Sequence, residues 1–126
     1  MSTSDEEVFT IWTDDSGKYD ASVVYLCGEL DASTVPGFLS EIKMILNRNK
    51  NTIIDAHLLS YADSTGLAAI LSIKNSLHHE GKELFLVGCH GVLAKILRIT
   101  HADEDIVCFE DVDTAVEEIK VRQKQT

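Results

Sequence analysis

Two hydrophobic periods alternate along this chain, and that alternation restricts its fold more than any other feature. Residues 8–13 (Val-Phe-Thr-Ile-Trp-Thr) are β-branched and aromatic, the composition of a strand. Residues 21–27 form a second such run, and its continuous apolar character predicts cover on both faces. Asp14-Asp15-Ser16-Gly17 between them is turn chemistry, so the pair predicts an antiparallel hairpin. Gly28-Glu29-Leu30-Asp31 then leaves the second strand. Val35, Phe38, Leu39, Ile42, Ile45 and Leu46 follow at i, i+3/i+4 spacing, the single apolar stripe of a helix lying on a sheet. Ser33 or Thr34 is the expected cap, and Pro36 falls in the first turn, where a missing N–H is harmless.

The same alternation continues to the C-terminus. Residues 52–56 read as a short third strand and 57–63 as a loop. Asp63 is the expected cap of a second helix that starts at Ser64. Its inner face is expected at Leu67, Ile70, Leu71 and Leu77, with Ala68 and Ile73 beside it, and Gly81 as a left-handed terminator. Residues 83–87 predict a fourth strand. Val92, Ile96, Leu97 and Ile99 mark a shorter third helix, and residues 106–109 a fifth strand. Asp113 or Thr114 opens a last helix with Ala115, Val116 and Ile119 as its apolar side. The order ββαβαβαβα predicts a single α/β domain whose sheet is mostly parallel after an N-terminal antiparallel hairpin. At 126 residues and 44% apolar content such a domain buries a core without disulfides or metal. Residues 1–7 read as a flexible acidic tail, 8–120 as the domain and 121–126 as a polar C-terminal tail.

Charge narrows the partners. Eleven basic against 21 acidic side chains give a net charge of −10, a field that repels phosphate backbones and argues against nucleic acid. It also favours a monomer and attracts a basic partner surface. No stretch is long and apolar enough for a membrane span, and the polar start lacks the pattern of a signal peptide, so the expected location is cytoplasmic. Cys27, Cys89 and Cys108 form no CxxC spacing and carry no flanking Lys or Arg, so they read as small buried core residues.

Most enzyme constellations are missing from the sequence, and Ser64 lacks the Gly-x-Ser-x-Gly elbow of a nucleophilic serine. There is neither a GxxxxGK[ST] nor a GxGxxG loop. His57, His78, His79, His90 and His101 offer no i, i+4 pair and no Cys partner, so no metal site is expected. Asp14-Asp15 imitates the acidic pair of a phosphoacceptor receiver domain, but Glu110-Asp111 stands where that fold needs its Lys. Asp63-Ser64-Thr65-Gly66-Leu67 is the segment with chemistry in it. It opens a helix, where backbone N–H groups are unpaired and the dipole is positive. A serine there is able to carry a phosphate, whose charge would meet both the free N–H groups and the repulsion of Asp63. Gly66 costs up to about 1 kcal/mol relative to Ala in a helix, which makes sense if another backbone comes close. The same five residues are also ordinary capping and turn chemistry.

The wider pattern adds to this. Gly28-Glu29-Leu30-Asp31, Ile53-Ile54-Asp55, the stretch 58–67 (Leu-Leu-Ser-Tyr-Ala-Asp-Ser-Thr-Gly-Leu) and Gly88-Cys89-His90-Gly91-Val92 together resemble a STAS domain, and within it the bacterial anti-sigma factor antagonists. The resemblance spans residues 8–119. It implies that Ser64 is the phosphoacceptor, with Thr65 secondary. It implies that Asp31, Asp63, Ser64, Thr65, Gly66 and Leu67 form a partner-binding patch. It further implies an anti-sigma factor that is a serine kinase, bound by the unphosphorylated antagonist, and a metal-dependent serine phosphatase that resets the cycle. The antagonist itself would then be no enzyme and need no cofactor. Tyr61-Ala62 departs from the family's bulky apolar pair, and Gly88-Cys89-His90-Gly91 from its Ser-Pro start to the third helix. Lys74 and Asn75 read as solvated face. The competing reading is a non-switching STAS docking subunit of a transport or scaffold complex.

Overall fold

A computed structural model describes residues 9–14 and 17–124. The tail read at residues 1–7, position 8 of the first strand and the middle of the first turn lie outside the described residues. Five strands form one sheet in the order β1-β2-β3-β4-β5. They are β1 (Phe9–Thr13), β2 (Ser22–Leu30), β3 (Thr52–Ala62), β4 (Leu84–Val87) and β5 (Val107–Phe109). β1 runs antiparallel to β2, and every other pairing is parallel. The helices are α1 (Val35–Leu46), α2 (Ser64–His79), α3 (Gly91–Ile99) and α4 (Val112–Lys124). This is the element order expected from the two periods.

The core has two layers because the strands bury both faces. Val24, Leu26, Leu30, Ile54 and Leu86 pack under α1, α2 and α3. Val23, Ile53, Phe85 and Val87 pack under Ala115 and Ile119 of α4. Burial of each such side chain contributes about 1.5–3 kcal/mol. Phe9 meets Phe38 edge-on, with ring centroids 6.0 Å apart, so the hairpin closes over α1. Arg122 lies over the Phe85 ring at 4.9 Å and pairs with Glu118 and Glu83. These contacts carry α4 through Lys124, into the segment expected as a tail.

Several local expectations are corrected. β2 continues through Leu30 rather than stopping at Cys27, and β3 continues through Ala62 rather than giving way to a loop at His57. Between Tyr25 and Cys27, and again between Gly28 and Glu29, the pairing shifts, so that β3 carries an extra residue at each point. These are β-bulges, and they disturb the alternation by which a strand is recognised. Thr34 holds the N-cap position of α1, as expected, but its side chain makes no cap bond; Asp31 Oδ1 accepts from the Ser33 and Thr34 N–H groups. The Thr34 hydroxyl instead donates to the Glu29 carbonyl at 2.8 Å. At α4 the acceptor for the Thr114 N–H is Asp111, at 2.8 Å, not Asp113 or Thr114. In α2 the inner face includes Ala69 and Ile73 but leaves Ala68 exposed. In α3 Leu93 is buried, while Ile99 is 66% exposed. The cysteines are not core residues: Cys27 and Cys89 are half-buried and Cys108 is exposed.

Candidate functional site

The two bulges and the length of β2 and β3 decide where the site residues meet. Leu30 pairs with Ala62 at the end of the β2–β3 ladder, and both are fully buried. The β2–α1 turn and the start of α2 therefore leave the sheet side by side. The Asp63 N–H donates to the Leu30 carbonyl at 3.2 Å, and the Ser60 hydroxyl donates to the Gly28 carbonyl at 3.0 Å. The start of α2 is thus tied to the end of β2, and the ends of the two strands to each other.

Asp63 has the extended backbone of an N-cap, and its Oδ1 accepts from the Gly66 N–H at 3.0 Å. Its carbonyl accepts from Leu67 N–H, the first bond of the helical ladder. Among the described residues no group accepts from the Ser64 or Thr65 N–H. Those two side chains are exposed, at the positive end of a sixteen-residue helix. Gly66 and Leu67 are buried, and Leu67 is 4% exposed. A Cβ at Gly66 would lie 2.5 Å from the Leu30 carbonyl oxygen, so the backbone that approaches this glycine is β2's own. Of the six residues expected in a contact patch, Ser64 and Thr65 face outward. Gly66 and Leu67 fix the helix to the sheet.

Asp63 immediately precedes Ser64 and Asp31 immediately follows β2; both are half-buried. The Ser33 hydroxyl donates to Asp31 Oδ1 at 2.7 Å. That bond, with the Ser33 and Thr34 N–H groups, holds the Asp31 carboxyl below the usual carboxylate range. The site is consequently an outward-facing hydroxyl directly after one capping carboxylate, with the Asp31 carboxylate on the neighbouring β2–α1 turn.

Sequence reasoning missed one part of this surface. Leu58 is 59% and Tyr61 40% exposed on the extended end of β3, just before Asp63. α4 covers that second face of the sheet only as far as Tyr25, Val87 and Phe109, and leaves these two side chains uncovered. The signal was present as two apolar side chains in a segment read as loop, beside the atypical Tyr61-Ala62 pair.

Comparison with known proteins is consistent with this geometry. A profile of the STAS domain matches residues 14–115. An anti-sigma-B factor antagonist of Listeria monocytogenes is 30% identical over 91 residues, covering 71% of this chain and 79% of that protein. An anti-sigma factor antagonist from Mycobacterium paratuberculosis has the same fold, with a TM-score of 0.77 at 22% identity over 88% of this chain and 96% of that one. The Bacillus cell fate determinant SpoIIAA in its phosphorylated form gives a TM-score of 0.66 at 17% identity, over 87% and 99% of the two chains.

Proposed function

This chain belongs to the STAS domain family, and from that premise we propose that it is an anti-sigma factor antagonist switched by phosphorylation of Ser64. The unphosphorylated protein binds an anti-sigma factor that is a serine kinase, and so frees that factor's target. The kinase then transfers the γ-phosphoryl group of its ATP to Ser64 Oγ. One O–P bond forms at the serine, the β–γ bridge breaks, ADP leaves and the hydroxyl proton is lost. The phosphorylated protein dissociates, and a metal-dependent serine phosphatase removes the phosphate.

The observation that carries this reading is the exposed Ser64 hydroxyl at the first position of α2, held by an Asp63 cap that is itself bonded to Leu30. Such a group is modified without unfolding anything. The free N–H groups and helix dipole favour the phosphate locally, while Asp63 and Asp31 concentrate negative charge around it. The contact surface is then Asp31, Asp63, Ser64 and Thr65, with Leu58 and Tyr61 supplying apolar area and Gly66 and Leu67 supporting from beneath. A basic partner face meets a new dianion where it had met a neutral hydroxyl. If that partner contacts the serine closely, desolvating the dianion outweighs its attraction to distant cations. The name of the Listeria relative and the phosphorylated state of the Bacillus neighbour support the assignment.

The test is binding to the cognate anti-sigma kinase. Ser64→Ala is expected to bind like the unphosphorylated protein, and Ser64→Asp at least tenfold more weakly, a difference of about 1.4 kcal/mol. Equal affinity of the two variants would overturn the switch.

A further inference from the structure

A second reactive position stands apart from Ser64, where β4 ends. Parallel pairing sets Leu86 beside Cys108 and Val87 beside Phe109, and the Gly88 N–H donates to the Phe109 carbonyl at 3.0 Å. The chain then turns through Gly88 and Gly91, both with positive φ. No side chain fits at Gly88, because a Cβ there would run into the His57 ring. His90 Nε2 lies 3.0 Å from the His57 carbonyl, and His57 Nδ1 lies 2.8 Å from Asp55 Oδ1. The turn is therefore held against both neighbouring strands. Held this way, it puts Cys89 Sγ 3.5 Å from Cys108 Sγ. The two sulfurs line an open hollow with His57, His90, Phe109 and Glu110.

We infer that Cys89 and Cys108 are a reversible dithiol–disulfide pair, oxidised by hydrogen peroxide. Cys108 is the exposed partner and Cys89 the more buried one, so the two have different roles. The Cys108 thiolate attacks peroxide: an S–O bond forms, the O–O bond breaks, and hydroxide leaves to become water. The product is a sulfenic acid at Cys108. Cys89 then attacks Cys108 Sγ: the S–S bond forms, the S–O bond breaks, and a second water leaves with the Cys89 proton. Overall two thiols lose two hydrogens, and one peroxide becomes two waters. The hydrogen bond from Cys89 favours the thiolate at Cys108 and pushes that thiol's pKa down, against the opposing effects of burial and Asp103. The same contact, with burial, pushes the Cys89 thiol up, which suits the resolving rather than the attacking sulfur. From 3.5 Å the sulfurs must approach to about 2.05 Å, a movement that side-chain rotation and a small shift of an exposed turn supply. Cys27 lies on β2, outside this pair, and is the internal control.

The experiment uses the full chain, reduced, desalted and exposed to hydrogen peroxide, followed by intact mass and non-reducing peptide mapping. The expected product has lost two hydrogens, links the Cys89 and Cys108 peptides, leaves Cys27 free and reverts with dithiothreitol. In Cys89→Ser the oxidation is expected to stop at a sulfenic acid on Cys108 that dimedone labels. Unchanged thiols at peroxide levels that oxidise glutathione would overturn the inference, as would a disulfide through Cys27 or between two chains. The wild-type map decides even if a variant fails to fold. None of these outcomes depends on phosphorylation of Ser64.

Discussion

At position 66 a single methyl group has nowhere to go. Its carbon would sit 2.5 Å from the Leu30 carbonyl oxygen, which already accepts from the Asp63 N–H. Helix propensity favours Ala over Gly by up to about 1 kcal/mol, but the clash is with backbone and cannot be relieved by a rotamer. Gly66→Ala is therefore expected to destabilise the domain by about 1–3 kcal/mol in urea unfolding, the usual cost of overpacking. An unchanged or raised midpoint would contradict the packing described here. The requirement for a close backbone was legible from Gly66 in a helical stretch; which backbone was not, because that depends on a strand end thirty-odd positions earlier. The exposure of the cysteines has a related reason. Apolar neighbours in sequence predict a buried strand, yet Val107 and Cys108 lie on a short fifth strand, β5, with exposed residues on it.

At the level of elements, legibility followed periodicity. α1 and α2 were readable because buried positions recur every three or four residues on one face. The upper half of β3 was not, since its buried residues Ala56, Leu59 and Ala62 fall three apart once the bulges are counted. A strand with that spacing imitates a loop or a helical turn. Capping bonds were also displaced, because an aspartate ahead of the expected cap takes the N–H bonds at both α1 and α4, although α1 itself begins right after Thr34 as expected. This displacement has a consequence for pH. Asp111 accepts the Thr114 N–H, and that bond holds its carboxyl below the ordinary range. A carboxylate depressed in the folded state contributes stability that is present above the unfolded pKa of about 3.9 and is lost as pH falls through the lower folded value. Wild type is expected to be more stable than Asp111→Ala at neutral pH, with the gap closing below about pH 4. A gap independent of pH would mean that the carboxylate is not what caps α4.

For the molecule as a whole, the division of the sheet's second face matters most. α4 covers the lower part through Ala115 and Ile119, while Leu58 and Tyr61 stay uncovered beside the start of α2. On a chain of net charge −10, that leaves two exposed apolar side chains on β3 shortly before Asp63 and the exposed Ser64. The most direct test of this account is phosphosite mass spectrometry on the protein recovered from its own cells across growth and stress conditions. It predicts a phosphate on Ser64 whose occupancy changes with condition and vanishes in Ser64→Ala. A Ser64 that stays unmodified throughout, or a phosphate that persists in the variant at another residue and alone governs partner binding, would contradict it.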